Sequence, residues 1–349
     1  MLKILIADDS LVYRIILKKI LRNIDGVEVC ATVSNGKSAL KEIFDKKPDL
    51  VLLDIEMPVM DGLSVMRELQ KLKSTPDIIM CSSLTARGAD ITIQALELGA
   101  CDFITKPLGE ENSKESKIKL RDQLKNKLLA IKNKDINGQR GSILDLDQTR
   151  ASHLCFRKPQ IVAIGISTGG PNALATLIPS LPKDFPVPVT IVQHMPPLFI
   201  ESLADSLNSK SQVVVKVAEQ AEYLRKGTVY LAPGNKQMKF FKRDHQMLIE
   251  INDDPPENFC KPAADYMFRS IASICGANSI GVIMTGMGRD GTAGLELMHQ
   301  AGAFVIGQSE SSCTIYGMPK AAYNANIVDK VLPLDKIAQR LVKMTTVTT

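Results

Sequence analysis

The sequence predicts an α/β protein built from two doubly wound parallel sheets. Short apolar runs alternate with amphipathic helical patterns along most of the chain, which is typical of sheets covered by helices on both faces. A chain of 349 residues is also too long for one compact core of usual size, so two domains are expected. In this fold class, ligands and reactive groups lie at the carboxyl ends of the strands.

The first domain is predicted to span residues 1–108. Its five apolar strands are expected at residues 2–7, 27–31, 50–53, 77–81 and 101–105. Helical spacing of apolar residues follows each of the first four strands, as in the segment 11–20. This alternation implies a doubly wound parallel sheet with helices on both faces.

The second domain is predicted to span residues 156–349. Its strands are expected at residues 161–166, 188–193, 213–217, 227–231, 279–284 and 303–306. Helical patterns at 199–207, 262–275 and 295–300 complete a second doubly wound domain. Two alternating segments, 237–241 and 247–251, predict a β-hairpin inserted in the sheet.

Residues 109–155 between the two domains are predicted to be a basic linker. They are polar and rich in Lys, and apolar residues at near-helical spacing between 118 and 131 predict one amphipathic helix. That helix either extends the first domain or docks a partner. Most of the overall net charge of +5 lies in and beside this linker, so it gives little support for nucleic-acid binding, and none is expected.

Composition excludes several other classes. No apolar stretch reaches the ~18 residues that a membrane-spanning helix needs, so the chain is not expected to insert in a membrane. The seven cysteines are scattered, with no C-x-x-C, which predicts a reduced cytoplasmic protein without a disulfide framework or a zinc motif.

Charged and hydroxyl residues follow four strands of the first domain. Asp8 and Asp9 follow the first strand, Asp54 the third, Ser82 the fourth and Lys106 the fifth. Parallel strands bring these ends to one edge of the sheet, where three carboxylates repel each other and favour an oxygen-ligated cation such as Mg²⁺. A lone Asp at a strand end would indicate only a helix cap, but this set indicates a functional pocket.

This pattern resembles the receiver domain of two-component response regulators, a flavodoxin-like fold. The matching motifs are Asp-Asp-Ser at 8–10, Leu-Asp-Ile-Glu-Met-Pro around Asp54, and Thr-Lys-Pro at 105–107. The resemblance implies that Asp54 accepts a phosphoryl group from a histidine kinase.

The same resemblance assigns the other residues of the pocket. Asp9 and Asp54 would hold Mg²⁺, with Asp8 nearby and the Glu56 carbonyl as a further ligand. Lys106 and a hydroxyl after the fourth strand would sense the phosphorylated state. Ser82 is preferred to its neighbour Ser83 because it follows the strand directly.

The first strand of the second domain ends in the small-residue segment Gly-Ile-Ser-Thr-Gly-Gly at 165–170. A strand that turns through glycines into a helix favours either a phosphate bound by backbone amides or an exposed nucleophile, here Ser167. The phosphate interpretation has its own support, because Gly-Met-Gly-Arg-Asp-Gly at 286–291 is a literal G-x-G-x-x-G with Glu310 about 20 residues on. Asp290 inside that loop counts against it, because a carboxylate repels a pyrophosphate.

The nucleophile interpretation requires a base and an acid close to Ser167. Of four histidines, only His194 follows a strand on the same edge, and Asp290 lies just beyond another strand end there. Side chains from neighbouring strand ends, about 4.8 Å apart, can converge. A Ser-His-Asp site is therefore favoured over a response regulator whose output domain is an NAD(P)-binding Rossmann domain.

The second domain also resembles a known family, the methylesterase domain of chemotaxis response regulators, which has a Rossmann-like fold. The matching segments include 165–171, Gln-His-Met-Pro at 193–196, Lys-Pro-Ala-Ala-Asp at 261–265, 284–291 and Tyr-Gly-Met-Pro at 316–319. The resemblance implies a protein-glutamate methylesterase that acts on methylated chemoreceptor cytoplasmic domains, is activated by phosphorylation, and needs no cofactor for ester hydrolysis. Whether it also deamidates receptor glutamines stays open.

The same resemblance gives the site residues their roles. Ser167 is the nucleophile, His194 the general base and acid, and Asp290 the orienting carboxylate. Thr168 and the backbone amide of Met287 would form the oxyanion site.

Overall fold

The computed structural model describes residues 1–72, 74–106, 118, 120–129, 131 and 157–346. These residues fall into two compact units, Met1–Ile136 and Asn137–Thr349. Apart from 118, 120–129 and 131, the predicted linker 109–155 lies outside the described residues. The boundaries 1–108, 109–155 and 156–349 therefore stay predictions.

The first unit contains a five-stranded parallel sheet in the order β2-β1-β3-β4-β5. Its strands are β1 (Leu2–Ala7), β2 (Val27–Val33), β3 (Leu50–Asp54), β4 (Asp77–Ser83) and β5 (Asp102–Lys106). Its helices are α1 (Leu11–Arg22), α2 (Gly36–Lys46), α3 (Gly62–Leu69) and α4 (Ala86–Glu97). The predicted doubly wound sheet is confirmed.

Local sequence explains where these elements begin. A polar side chain immediately before each helix accepts a hydrogen bond from a first-turn amide, which satisfies a donor that the helix leaves unpaired. These capping residues are Ser10, Asn35, Asp61 and Thr85. Every residue of β3 is buried at the centre of the sheet. This burial fits its run of four apolar residues before Asp54.

Residues 120–129 form a further helix, α5, that belongs to the first unit. Leu120, Leu124 and Leu128 are buried, at the spacing of one helix face. Lys127 of α5 forms an ion pair with Asp102 of β5. Of the two roles considered for the linker helix, these contacts correspond to an extension of the first domain.

The second unit contains a seven-stranded parallel sheet in the order β14-β13-β12-β6-β7-β9-β8. Its strands are β6 (Ile161–Ile166), β7 (Val189–Gln193), β8 (Val214–Val217), β9 (Thr228–Leu231), β12 (Ser279–Ile283), β13 (Phe304–Gln308) and β14 (Lys330–Leu332). Its helices are α6 (Gly170–Leu177), α7 (Pro197–Lys210), α8 (Ala264–Cys275), α9 (Thr292–Gln300), α10 (Met318–Asn324) and α11 (Leu334–Thr346).

The predicted hairpin is present, but its expected place in the sheet is wrong. The strands β10 (Gln237–Arg243) and β11 (Gln246–Asn252) pair with each other in a separate two-stranded antiparallel sheet. Their buried residues Met238, Phe240 and Ile249 share a hydrophobic cluster with Phe268 of α8. The alternating pattern therefore gives the hairpin one apolar face, and that face covers a helix rather than extending the sheet.

In each large sheet, the order in which the chain adds strands reverses at one strand. β1 lies between β2 and β3, and β6 lies between β7 and β12. A crevice forms at the carboxyl end of such a strand because the following connections leave on opposite faces. Both sets of predicted site residues lie at these two crevices. Within the described residues, no helix is long and apolar enough to cross a membrane.

Candidate active site and phosphoacceptor pocket

The carboxyl edge of the first sheet brings three carboxylates and one ammonium group together. Oxygens of Asp8, Asp9 and Asp54 lie within 4.8 Å of one another. The Lys106 Nζ atom lies 2.6 Å from Asp8 Oδ2 and 2.7 Å from Asp54 Oδ2. Parallel pairing of β1 with β3, β3 with β4, and β4 with β5 produces this convergence, as the sequence predicts.

The side chains of this pocket carry more negative than positive charge. Burial raises the pKa of Asp54 to about 6; Lys106 opposes this shift and Asp8 adds to it. Burial likewise raises the pKa of Asp8 despite its contact with Lys106. One ammonium group thus faces more negative charge than it neutralises, which favours a bound cation.

The donor set fits Mg²⁺. All three side chains offer hard carboxylate oxygens, and Asp9 is exposed, so a bound ion would keep part of its water shell there. A divalent ion with these ligands would offset the excess negative charge around Asp54.

Two predicted residues of this pocket lie at its border. The Ser82 hydroxyl is fully buried; it accepts a hydrogen bond from Thr92 Oγ1 (2.8 Å) and donates toward the Gly88 carbonyl (3.2 Å), both in α4. It therefore contacts α4 rather than Asp54. Glu56 lies two residues after β3, and its exposed side chain is 4.0 Å from Arg87 Nε.

Tyr13 is a residue of this pocket that the sequence analysis did not identify. Its ring centroid lies 4.9 Å from Lys106 Nζ, and its hydroxyl is buried without a hydrogen-bond partner among the described residues. Burial, with the nearby Cys81, Asp8 and Asp54, raises the pKa of this phenol. The only sequence signal is its position in the first turn of α1, directly after the two aspartates.

In the second unit, Ser167 stands immediately after β6 in a tight turn. Its backbone amide donates to Thr285 O (3.0 Å), and its carbonyl accepts from Gly170 N (2.8 Å). Gly169 adopts a left-handed conformation (φ 78°), and a Cβ there would lie 2.3 Å from Thr314 Oγ1. The turn therefore requires glycine and leaves the Ser167 side chain half-exposed.

His194 and Asp290 form the central pair of the site. His194 Nε2 lies 2.8 Å from Asp290 Oδ2. Three further donors, Ala264 N (2.6 Å), Asp265 N (3.2 Å) and Asn258 Nδ2 (3.1 Å), bind the same carboxylate. Burial works against the charged form of Asp290, but His194 and the backbone amides of Ala264 and Asp265 together lower its pKa.

The ring of His194 is held between two partners. Nε2 faces Asp290, and Nδ1 lies 3.7 Å from the Cys260 Sγ atom. Burial lowers the pKa of His194, but the hydrogen bonds to Asp290 and Cys260 outweigh burial and raise it to about 9. Asn258 and Cys260 lie far from His194 in sequence, in the loop after the hairpin, so spacing gave no signal for either.

Ser167 and His194 lie at the ends of neighbouring strands. The His194 amide donates to Ile166 O (3.3 Å), the residue before Ser167. Within the described part of the chain, no hydrogen bond joins the Ser167 hydroxyl to the His194 ring. Such contacts often tighten only when substrate binds, so the placement is compatible with a catalytic pair.

The predicted oxyanion residues lie beside Ser167. The Thr168 carbonyl accepts a hydrogen bond from Thr285 Oγ1 (2.9 Å). A Cβ on Gly286 would lie 2.8 Å from Ser167 Cβ, so the loop that carries Met287 packs closely against the serine. No described residue accepts a hydrogen bond from the Met287 N–H.

The G-x-G-x-x-G loop is used differently from a dinucleotide site. Its Asp290 binds His194. The α9 amide of Gly294 donates to Asp265 Oδ1 (2.6 Å), so a carboxylate of the protein occupies the helix terminus that a pyrophosphate would need. Nothing in the described site supports the NAD(P)-binding alternative.

Comparison with known proteins finds a family match in each unit. The family model for CheB methylesterase matches residues 162–341, and the model for the response regulator receiver domain matches residues 4–116. A protein-glutamate methylesterase/protein-glutamine glutaminase of Desulfotalea psychrophila is 45% identical over 98% of both chains. The Bacillus subtilis protein of the same name is 42% identical over 97% of both chains.

A solved structure is similar to the second unit. The CheB methylesterase catalytic domain of Thermotoga maritima is 39% identical, with a TM-score of 0.53, and the match covers 54% of this chain and 100% of that one. With a receiver match in front and a methylesterase match behind, the chain belongs to the CheB methylesterase family.

Proposed function

We propose that this chain is a phosphorylation-activated protein-glutamate methylesterase, with Ser167 as its nucleophile, His194 as its general base and acid, and Asp290 as the orienting carboxylate. The observation that carries the proposal is the hydrogen-bonded pair of half-buried His194 and buried Asp290 at the end of β7, beside the half-exposed Ser167 at the end of β6. The relatives named above are protein-glutamate methylesterases and glutaminases, which supports the same substrate class.

The proposed reaction begins at the ring nitrogen opposite Asp290. Asp290 holds His194 through Nε2, so Nδ1 is the nitrogen that takes the proton from the Ser167 hydroxyl. The serine oxygen bonds to the γ-ester carbonyl carbon of a receptor glutamate, and the oxyanion forms next to the Met287 amide. His194 returns the proton to methanol as the ester bond breaks.

The second half of the reaction reverses these roles. Water attacks the acyl-enzyme and gives a proton to His194, which passes it to the Ser167 oxygen as the acyl bond breaks and the glutamate acid is released. A glutamine side chain would pass through the same tetrahedral intermediate with ammonia as leaving group. The names of the relatives favour this second activity, so we include protein-glutamine deamidation in the proposal.

In the receiver domain, we propose Asp54 as the phosphoacceptor for a chemotaxis histidine kinase. Asp8, Asp9, the Asp54 carboxylate and the Glu56 carbonyl would hold Mg²⁺, which supplies positive charge for the transferred phosphoryl group. Lys106 already pairs with Asp54 and would contact a phosphoryl oxygen after transfer. Release of Ser82 from α4 would let its hydroxyl do the same.

The proposed partners are methylated chemoreceptor cytoplasmic domains as substrate and the kinase as phosphodonor. A cytoplasmic location is proposed with them, since the six cysteines in the described part of the chain are all free thiols.

Methanol release from methylated receptor membranes tests the esterase assignment. Ser167→Ala removes the nucleophile, and we expect the rate to fall by about 10³-fold or more. Ser180→Ala is the matched control, because the Ser180 hydroxyl donates to Thr176 O (2.9 Å) away from the site. Undiminished release by Ser167→Ala would refute the proposal. Ammonia release from receptor glutamines should fall in the same variant.

A further inference from the structure

Cys260 places a thiol directly against the base of the proposed active site. Its Sγ atom lies 3.7 Å from His194 Nδ1 and 3.4 Å from the Asn258 carbonyl. A tight turn fixes the cysteine, with Glu257 N donating to Cys260 O (3.1 Å) and Cys260 N to Glu257 O (2.7 Å). Cys260 is half-buried.

Asp290 determines which nitrogen of His194 faces this thiol. Because Asp290 accepts from Nε2, the neutral ring carries its lone pair on Nδ1, toward Cys260. Histidines that bind metals have this arrangement, with one nitrogen on the metal and the other donating to a carboxylate. The His194–Asp290 pair therefore prepares Nδ1 as a metal ligand as well as a base.

The separation of the two candidate ligand atoms matches zinc. With Zn–N of about 2.0 Å, Zn–S of about 2.3 Å and a tetrahedral angle, nitrogen and sulfur bound to one zinc ion lie about 3.5 Å apart. The observed Nδ1–Sγ distance is 3.7 Å. A thiolate and an imidazole are also ligands that select zinc over Mg²⁺.

The other described cysteines do not offer this pair. The thiols of Cys30, Cys101 and Cys313 donate toward backbone carbonyls, that of Cys275 contacts the sulfur of Met247, and Cys81 is fully buried in β4. Asp290 would be an outer partner, since it lies on the opposite side of the imidazole ring. Two coordination positions would then be left for water or the Ser167 hydroxyl.

We propose that His194 Nδ1 and Cys260 Sγ form a Zn²⁺ site, and that zinc bound there inhibits ester hydrolysis by occupying the nitrogen that accepts the Ser167 proton. The ion displaces the thiol proton and any proton on Nδ1, so binding releases protons and strengthens as pH rises. The inhibitory effect rests on the proposed esterase function, whereas metal binding itself does not.

Co²⁺ binding to the full-length chain tests the site without any enzyme assay. A thiolate bound to Co²⁺ gives an intense near-ultraviolet charge-transfer band, which carboxylate ligands at the receiver pocket do not give. We expect this band at one equivalent in the wild type and in the control Cys30→Ala, displaced by Zn²⁺. Cys260→Ser and His194→Gln should lose it, with a drop in affinity of at least about tenfold.

Zn²⁺ inhibition of methanol release provides the second measurement, with each variant normalised to its own rate without zinc. Wild type and Cys30→Ala should be inhibited over the range in which Zn²⁺ displaces Co²⁺, and Cys260→Ser should resist at least about tenfold more zinc. A cobalt band that persists in a folded Cys260→Ser variant, or its absence in the wild type, would overturn the zinc site. If methanol release proves independent of Ser167, the esterase proposal fails while the cobalt measurement still decides the metal site.

Discussion

The two crevices of this molecule hold buried carboxylates in opposite electrostatic situations. In the receiver pocket, Asp8 and Asp54 share one ammonium group, and burial raises the pKa of both. In the esterase site, Asp290 accepts four hydrogen bonds, and its pKa is lowered. Similar sheet geometry thus produces two electrostatic environments: one pocket leaves negative charge unbalanced, and the other stabilises one carboxylate that fixes a histidine.

The largest effect on esterase activity is expected at Asp290. Replacing Asp290 with Asn removes the charge that orients His194, and we expect methanol release to fall by about 10³–10⁴-fold. Asp265→Asn is the matched control, because the Asp265 carboxylate binds Asn258 and Gly294, and the substitution keeps the backbone amide that donates to Asp290. An equal loss in both variants would mean that the loop as a whole, rather than the His194–Asp290 pair, supports activity.

The receiver pocket predicts a gain in stability when its charge is removed. The raised pKa of Asp54 means that its protonated form favours folding, so stability is full below about pH 3.8 and is lost as pH rises through about 6. Asp54→Asn removes that loss, and we expect the free energy of unfolding at pH 7 to rise by about 1–3 kcal/mol.

Denaturant unfolding of the receiver transition, followed between pH 4 and 8, measures this effect. The variant should show a flatter pH dependence than the wild type. A fall in stability at pH 7 would show that the ion pair with Lys106 outweighs the cost of burial.

The pH dependence of the esterase rate should report the raised pKa of His194. His194 must be neutral to accept a proton, so with its pKa raised to about 9 the rate should rise with pH up to that region. The same pair stabilises the fold below about pH 6.5, and this stabilisation is lost as pH rises through about 9. Cys260→Ala removes one partner that raises the pKa, so the acidic limb should move to lower pH. An unmoved limb would assign the shift to Asp290 alone.

The smallest effect is expected at Tyr13. Its buried hydroxyl has no partner among the described residues, and an unsatisfied hydroxyl costs free energy that phenylalanine avoids. We expect Tyr13→Phe to raise the free energy of unfolding by about 1 kcal/mol in the absence of Mg²⁺ and phosphodonor. Thermal unfolding measures the change. A loss of stability would indicate that water or an ion partners the hydroxyl in solution.

Sequence patterns predicted the sheets well because β3, β6 and β12 are buried throughout. Their sequences are mainly apolar, and polar residues stand at or just beyond their carboxyl ends. The same logic placed Asp54, His194 and Asp290 at the correct edges. Three elements near the C-terminus, β14, α10 and α11, were not predicted from the sequence. β14 has only three residues, all half-buried, and gives no distinct pattern.

Sequence patterns could not identify residues that act through tertiary contacts. Asn258 and Cys260 contact the His194–Asp290 pair from a loop that follows the hairpin, and no spacing rule joins that loop to β7. The hairpin itself was placed in the wrong sheet, because alternation reveals an apolar face but not which element covers it. The Ser82 hydroxyl was expected at the phosphoacceptor, and only the structure shows its hydrogen bonds to α4.

The most direct test measures how a phosphodonor for the receiver pocket changes the rate at the esterase site. Methanol release by the full-length chain is measured with and without acetyl phosphate and Mg²⁺, for the wild type and for Asp54→Asn. We expect a faster rate with the phosphodonor in the wild type and no change in Asp54→Asn. Equal acceleration of both proteins, or none in the wild type, would contradict the claim that the pocket at Asp54 controls the site at Ser167.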